Sequence, residues 1–309
     1  MSTHPTTRWL RPPPLIRWIG WCLLGAAAVW GGLSVRERIL HLSSGPDDWP
    51  VVRSRESGVL FLVGGGALPD RVGRDFVGLA GGHEARLVVI PGLGDDEDFD
   101  SYLDDWKLLG AQEVSVLHAR TRAQAVDPKF SEALATATAV WLGGGQQTWF
   151  TTTYGGTIVE KRLKELLQRG GVIGGTSAGA SAVTSIMMAG GRRGEPITTN
   201  GLGLFPDAIV DQHFFKRNRT ARLMKLVEQH PELIGLGIDE QTAAVIELKT
   251  QRMSVVGESY VMAVAANGKS HFPRIEVLKA GDSVTFDQLR EPPTSDIPNW
   301  LEDAILYGE

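Results

Sequence analysis

A serine lies in the sequence GTSAG at residues 175–179, which fits the pattern Gly-x-Ser-x-Gly. An apolar run that predicts a β-strand precedes this segment, and the apolar residues 182–189 that follow it predict a helix. A sharp turn between strand and helix exposes the hydroxyl of Ser177, and only small neighbouring residues fit in such a turn. The backbone N–H of Ala178, at the helix start, can stabilise an oxyanion. The segment therefore predicts nucleophilic catalysis by Ser177, with Ala178 in the oxyanion hole.

A serine nucleophile needs a general base, and His213 is the strongest candidate among the seven histidines. It follows an apolar run that predicts a strand, whereas we interpret the other histidines of the globular part as structural or surface residues. The imidazole in turn needs an acceptor that orients it. Glu240 follows the strand-like residues 233–238 and is our choice, with Asp211 and Asp239 as the alternatives.

Two glycine triplets close predicted strands. A backbone N–H of residues 143–145 could complete an oxyanion hole, and Gly144 is the preferred donor. A simple glycine turn is the alternative. Residues 64–66 lack the Gly-x-Gly-x-x-Gly spacing and a matching acidic residue, so we predict no dinucleotide site there.

Three arginines, Arg217, Arg219 and Arg222, follow the candidate base. Their spacing of i, i+2 and i+5 does not place them on one face of a helix, so a plain amphipathic surface helix explains them poorly. Guanidinium groups close to His213 could bind carboxylates of an acidic partner. A solvated basic surface explains them equally well.

The elements that position these residues alternate between strand and helix. Strands are predicted at residues 58–63, 86–91, 113–118, 139–142 and 171–175. The stretch 158–168 has helical spacing. Strands separated by helices predict a parallel sheet with its ligand site at the carboxyl ends of the strands. After about residue 240, three closely spaced runs, 242–248, 252–257 and 260–265, predict antiparallel strands on one edge.

The N-terminus has a different character. Residues 18–35 are apolar and uncharged. Their length, eighteen residues, is at the lower limit for a membrane-spanning helix. We predict an N-terminal segment (residues 1–40) that acts as an uncleaved membrane anchor, a polar linker (41–57) and a catalytic domain (58–309) outside the cytoplasm. A cleaved signal peptide, which would leave a secreted or periplasmic protein, is the alternative, because residues 26–28 are three consecutive alanines.

Composition excludes several classes of function. The formal charge is −5 and no block of Lys and Arg is present, so no nucleic-acid partner is expected. The single cysteine, Cys22, lies in the apolar N-terminal stretch. It therefore forms no internal disulfide, no cysteine-based zinc site and no nucleophile in the globular part.

Four segments together resemble the cyanophycinase branch of the cyanophycinase/dipeptidase E family of serine peptidases. They are GGGQQ (143–147), GTSAGA (175–180), DQHFFKRNRTARL (211–223) and GIDEQTA (237–243), in this order. The resemblance extends from about Gly58 to Gly268. It implies an α/β fold of the class I glutamine-amidotransferase type, which is a flavodoxin-like three-layer sandwich. Its sheet is mostly parallel, with antiparallel C-terminal strands, and serine replaces the cysteine nucleophile of that fold.

The resemblance also implies an activity. Ser177 would be the nucleophile, His213 the general base and Glu240 the acid of a catalytic triad, with no metal or cofactor. Cyanophycinases release β-aspartyl-arginine dipeptides from a poly-aspartate that bears arginine, through an acyl-enzyme. The positions that match the substrate-binding side of the family site are Gln147, Asp211, Gln212, Arg217, Arg219 and Arg222.

Some features depart from the family pattern. Family members commonly carry Asp or Asn where Gln146 stands, and the acidic residues 95–100 have no assigned role. An apolar N-terminus is also unexpected for an enzyme of a polymer that is stored inside cells. A peptidase of α-aspartyl dipeptides and a catalytically inactive, membrane-tethered binding protein are therefore alternatives, and a homodimer is left open.

Overall fold

The computed structural model describes residues 58–92, 99–192, 195–266 and 273–291. The predicted N-terminal segment (1–40), the linker (41–57) and most of the acidic segment 95–100 lie outside these ranges. Within them, we find no helix that combines the length and the hydropathy needed to cross a membrane.

The strands and helices alternate through the first half of the domain. The strands are β1 (Val59–Val63), β2 (Arg86–Ile90), β3 (Glu113–Val116), β4 (Ala139–Leu142), β5 (Val172–Thr176), β6 (Ile186–Arg192), β7 (Glu195–Asn200), β8 (Ala208–Gln212), β9 (Ile234–Ile238), β10 (Thr242–Glu247), β11 (Arg252–Gly257), β12 (Tyr260–Ala265), β13 (Arg274–Lys279) and β14 (Ser283–Thr285). The helices are α1 (Asp70–Leu79), α2 (Phe99–Leu108), α3 (Arg122–Ala125), α4 (Ala133–Thr136), α5 (Gln147–Tyr154), α6 (Ile158–Gln168), α7 (Ala178–Ala182), α8 (Thr220–Gln229) and α9 (Phe286–Arg290).

The main sheet has eight strands in the order β14-β11-β10-β1-β5-β4-β2-β3. Strands β1, β5, β4, β2 and β3 are parallel, and β10, β11 and β14 extend the sheet beyond β1, each antiparallel to the strand before it in the sheet. Strands β1, β4 and β5 are almost entirely buried, as expected for parallel strands with both faces covered. The predicted α/β fold, with a mostly parallel sheet and antiparallel C-terminal strands, is confirmed.

Helices cover both faces of this sheet. The helices that follow the neighbouring strands β1 and β5 pack on opposite faces. Phe76 of α1 and Trp106 of α2 pack on one face, whereas Ala180 of α7 and Leu163 of α6 belong to the core of the other face. Helix α1 follows β1 and helix α7 follows β5, which is the neighbour of β1. The change of side creates a crevice between the carboxyl ends of β1 and β5, where open α/β sheets bind ligands.

A second, four-stranded sheet has the order β13-β12-β9-β8. Its strands share the core that contains α7, so it lies on the α7 side of the main sheet. The prediction that residues 260–265 extend one edge of the main sheet is therefore wrong. The chain turns at Gly257, where φ is +125°, and β12 pairs with β9 and β13 instead.

The predicted helix over residues 182–189 is also wrong in its extent. Helix α7 ends at Ala182, and strand β6 begins at Ile186. The buried residues Met187 and Met188 belong to two different core clusters, which is the alternation of a strand with both faces covered. A continuous apolar run is compatible with a helix or with a strand. Burial on both sides of residues 186–192 stabilises the strand.

Gly174 of β5 allows the rings of Trp141 and Phe76 to pack directly on the backbone of the sheet. A Cβ at this position would lie 2.4 Å from Trp141 Cε3 and 2.6 Å from Phe76 Cε2. We expect Gly174→Ala to lower the free energy of unfolding by about 1–3 kcal/mol, because overpacking forces these rings apart. Urea denaturation measures the change. Gly190→Ala is the matched control, since a Cβ there meets no atom of the described residues within 4 Å. An equal loss in both variants would contradict the steric explanation.

Candidate active site

Ser177 lies at the sharp turn between β5 and α7 with φ of 50° and ψ of −110°, a conformation that is strained for any residue with a side chain. The flanking glycines are sterically required. A Cβ at Gly175 would lie 2.7 Å from the backbone of Gly179, and a Cβ at Gly179 would lie 2.3 Å from the carbonyl oxygen of Leu142. The pentapeptide therefore forms the strand–turn–helix elbow that its pattern predicts.

Three consecutive carbonyl oxygens at the end of β1 hold the candidate triad in place. Val63 O accepts a hydrogen bond from the N–H of Ser177 (3.0 Å), Gly64 O from that of His213 (2.7 Å) and Gly65 O from that of Gln241 (2.8 Å). Each donor residue has a positive φ, between 48° and 59°. The segments that carry Ser177, His213 and Glu240 are thus fixed against one short piece of backbone, in conformations that they would not adopt alone.

The side chains of these segments form a continuous hydrogen-bonded relay. Ser177 Oγ lies 2.9 Å from His213 Nε2, and His213 Nδ1 lies 2.7 Å from Glu240 Oε1. The imidazole is 12% exposed and the carboxylate 28% exposed, so both are shielded but not sealed from solvent. With the proton on Nδ1, the imidazole donates to Glu240 and its Nε2 accepts the serine proton, which is the arrangement of a general base.

The glycine triplet at residues 64–66 forms the wall of this relay, a role that we did not predict from the sequence. A Cβ at Gly65, where φ is +109°, would lie 2.4 Å from His213 Cε1. A Cβ at Gly66, where φ is +76°, would lie 3.1 Å from Glu240 Cβ. The sequence signal for this role is the triplet itself, three glycines without the spacing of a phosphate-binding loop.

The predicted oxyanion donors lie beside the serine. A Cβ built on Gly144 would be 3.9 Å from Ser177 Cβ. Gly143 O accepts a bond from the N–H of Gly179, which ties the glycine loop to the elbow. The N–H of Ala178 is in the first turn of α7 and has no partner within that helix. The backbones of Gly144 and Ala178 therefore lie next to Ser177, as a pair of oxyanion donors requires.

Gln147, a predicted substrate ligand, binds the protein itself. Its Nε2 donates to the carbonyl oxygens of Met188 (3.0 Å) and Ala189 (3.1 Å) in β6. The amide nitrogen of Gln147 therefore joins the first turn of α5 to the hairpin β6–β7. Only Oε1 is left for another partner.

Asp211 and Arg222 form a buried ion pair. The carboxylate is fully buried and binds Arg222 through both oxygens, with 2.6 Å between Nε and Oδ2. Arg222 also donates to Gly191 O in the hairpin (3.3 Å). Arg219 Nη1 lies 3.3 Å from Asp211 Oδ1 and 2.8 Å from Gln212 Oε1. Burial lowers the pKa of Arg219. The negative charge of Asp211 opposes this effect, and the guanidinium stays charged at neutral pH.

The structure separates the remaining predicted residues by role. Asp239, an alternative to Glu240, accepts from the Lys216 N–H (3.0 Å) and the Ser259 hydroxyl (2.8 Å), so it stabilises the turn after His213. Asp211, the other alternative, is committed to the ion pair with Arg222. Arg217 is exposed, and among the residues that the structure describes only its backbone N–H is bonded, to His213 O (3.0 Å).

A metal site would need other residues. In the ranges that the structure describes, no three side chains of His, Cys, Asp or Glu come together in a way that could hold a metal ion.

Comparisons with known proteins agree with this fold. The model of peptidase family S51 matches residues 60–253. A cyanophycinase of Geminocystis herdmanii is 35% identical over 242 residues, which cover 74% of this chain and 88% of that protein. A cyanophycinase of a Nostoc species is 34% identical over 242 residues, which cover 74% and 80%. The crystal structure of a peptidase from an acI-B1 Actinobacterium has a TM-score of 0.60 at 25% identity, and the match covers 74% of this chain and 97% of that one.

The contact between Gly65 and His213 can be tested by adding one methyl group. We expect Gly65→Ala to lower the rate at which a fluorophosphonate labels Ser177 by about 100-fold, because a displacement of the imidazole by about 1 Å misaligns the base. Intact-mass spectrometry over time measures the rate. Gly281→Ala is the control, since φ there is +92° but, in the part of the chain that the structure describes, no atom lies within 4 Å of the added Cβ. Labelling of Gly65→Ala at the rate of the parent would show that the glycine does not position the base.

The buried ion pair predicts a non-additive pair of substitutions. Arg222→Met leaves the Asp211 carboxylate buried without its main partner, so we expect a loss of about 3–5 kcal/mol in the free energy of unfolding. Asp211→Leu combined with Arg222→Met should recover most of this loss, since it removes both charges. Urea denaturation of the parent, the single and the double variants gives the comparison. A loss below about 1 kcal/mol in Arg222→Met would contradict a structural role for the pair.

Proposed function

Because this chain belongs to peptidase family S51, we propose that it is a cyanophycinase-like serine exopeptidase. Its substrate is cyanophycin or a related aspartyl isopeptide, from which it releases dipeptides of the β-aspartyl-arginine type. The observation that carries the proposal is the relay of Ser177, His213 and Glu240, with 2.9 Å and 2.7 Å between successive polar atoms.

The first half of the reaction forms an acyl-enzyme. His213 Nε2 takes the proton of Ser177 as Oγ attacks the scissile carbonyl carbon. Glu240 holds the imidazole in the tautomer with a proton on Nδ1 and stabilises the imidazolium that forms. The N–H groups of Ala178 and Gly144 stabilise the negative charge that develops on the carbonyl oxygen. His213 then gives its proton to the leaving amine, and the peptide bond breaks.

The second half uses the same groups on water. His213 takes a proton from a water molecule, and the hydroxide attacks the ester carbon of the acyl-enzyme. The tetrahedral intermediate collapses, Ser177 Oγ leaves and receives the proton from His213, and a carboxylic acid is released. The partial exposure of Glu240 (28%) and of His213 (12%) allows water to reach this point.

The substrate specificity rests on charge near the base. Arg217 is exposed in the turn that follows His213, and its side chain is free within the described residues to bind a substrate carboxylate. The neighbouring polar side chains bind one another: Arg219 contacts Asp211 and Gln212, and Arg222 contacts Asp211. These contacts fix the shape and the positive charge of this side of the site. We assign direct contact with the substrate to Arg217 and to the free Oε1 of Gln147.

The decisive experiment compares the full-length chain with its Ser177→Ala variant on purified cyanophycin. We expect the parent to release β-aspartyl-arginine and the variant to release none, because the nucleophile is absent. Glu240→Gln should lower kcat by about 10³–10⁴-fold, since the amide no longer holds the productive tautomer. Mass spectrometry of released dipeptide measures all three.

Asp239→Asn is the control for Glu240→Gln, because Asp239 is the adjacent carboxylate but bonds to Lys216 and Ser259. An equal loss in both variants would show that the turn, not the relay, limits the rate. If the parent leaves cyanophycin intact but cleaves an α-aspartyl dipeptide, the isopeptide specificity is wrong and the serine mechanism stands. If the parent cleaves neither substrate and Ser177 resists a fluorophosphonate, the enzymatic function is refuted.

A further inference from the structure

The connection between β11 and β12 packs against the residues around Glu240. It consists of Glu258 and Ser259, neither of which belongs to the relay. The N–H of Glu258 donates to Gln241 O (3.1 Å). Gly257, where φ is +125°, allows this close approach, since a Cβ there would lie 2.4 Å from Gln241 O. The connection is therefore held directly on the backbone that carries the acid of the relay.

Ser259 forms two hydrogen bonds that reach both ends of this backbone. Its hydroxyl donates to Asp239 Oδ2 (2.8 Å), and its N–H donates to Thr242 Oγ1 (2.7 Å). Asp239 and Thr242 enclose Glu240 and Gln241 in the sequence. One residue therefore spans the turn between β9 and β10, and each of its two bonds leads to a different member of the relay.

The bond to Thr242 leads to Glu240. The Thr242 hydroxyl accepts the N–H of Ser259 and donates in turn to Glu240 O (3.2 Å). Thr242 is fully buried, and its carbonyl oxygen accepts the N–H of Gly64 at the end of β1 (3.0 Å). Loss of the hydroxyl would leave buried polar groups without a partner, which is costly. The backbone of Glu240 is therefore fixed relative to β1, which also holds Ser177.

The bond to Asp239 leads to His213. Asp239 Oδ1 accepts the N–H of Lys216 (3.0 Å), and Lys216 lies in the turn that follows His213. Hydrogen bonds to a carboxylate are about twice as strong as those between neutral groups. One oxygen of Asp239 binds the Lys216 N–H and the other binds Ser259. The carboxylate therefore joins the segment of the histidine to the connection between β11 and β12.

From these contacts we infer that Ser259 is a positioning residue of the relay, which aligns His213 with Glu240 without a bond to either side chain. The two relay residues are 27 positions apart, and their 2.7 Å bond has to persist while the imidazole takes up and releases a proton. A displacement of about 1 Å at such a site can cost about 100-fold in rate. The inference rests on the serine mechanism of the proposed function and is independent of the substrate.

The test measures the reactivity of Ser177, so that it does not depend on the substrate. We expect Ser259→Ala to lower the rate at which a fluorophosphonate labels the full-length chain by about tenfold. The reason is that the link to the histidine segment is lost, while the N–H bond to Thr242 remains. Ser259→Thr keeps the hydroxyl and should label within about twofold of the parent. Intact-mass spectrometry over time measures the rates, and urea denaturation gives the folded fraction to which each rate is referred.

Ser283→Ala is the matched control. This serine is on β14, at the edge of the main sheet, and its hydroxyl accepts from Arg252 (3.1 Å). Asp239→Asn should also label like the parent, because the amide keeps an oxygen for the Lys216 N–H and the Ser259 hydroxyl can accept from the amide N–H. A loss in Ser259→Ala without a loss in Asp239→Asn would show that the hydrogen bonds, and not the charge, position the base.

A second readout separates positioning from stability. On cyanophycin, Ser259→Ala should lower kcat about tenfold and change KM less than about twofold, because the residues assigned to substrate contact are unchanged. Labelling of Ser259→Ala at the rate of the parent, or an equal loss in Ser283→Ala or Ser259→Thr, overturns the inference even where stability falls. If the parent is labelled but cleaves no β-aspartyl substrate, the proposed function fails, and the labelling rates still decide the role of Ser259.

Discussion

The end of strand β1 is the constraint on which the active site depends. Its carbonyl oxygens at Val63, Gly64 and Gly65 accept hydrogen bonds from three segments that are remote in sequence. Each segment delivers one member of the relay, and each donor residue has a left-handed backbone conformation. Such conformations cost about 1–3 kcal/mol each. The surrounding sheet stabilises them because β1 is central and buried on both faces.

A second layer of contacts holds the arginines that follow His213 in place. The hairpin β6–β7 accepts hydrogen bonds from Gln147 on one side and from Arg222 on the other. Arg222 in turn binds the buried Asp211, which is two residues from His213. The loop that carries Gly144 and the turn that carries His213 are therefore connected through a hairpin that contributes no triad residue. Polar residues at an active site of this kind shape the site as much as they contact its substrate.

Much of this architecture could be predicted from the sequence, because strong local patterns agreed with the final packing. The strands β1 to β5, helix α6 and the elbow at Ser177 follow from apolar runs and glycine spacing. The strand at residues 260–265 was predicted, but the sheet that β12 joins and the extent of helix α7 could not be, because they depend on which sheet offers a free edge and on burial from two sides. The role of Gly65 was missed for a similar reason. A glycine is required there only because a histidine from a distant turn occupies the space.

The acceptors of the relay precede their donors by more than a hundred residues of chain. A site built from such distant pairings has a high contact order, and its segments lose their freedom only when the long loops between them close. During synthesis, Val63, Gly64 and Gly65 emerge early, but the bond to Gln241 has to wait until most of the domain has left the ribosome. The serine elbow can form from neighbouring residues well before that point. The order of the chain therefore places the last of the three hydrogen bonds to the end of β1 late in synthesis, after the elbow of Ser177 has formed.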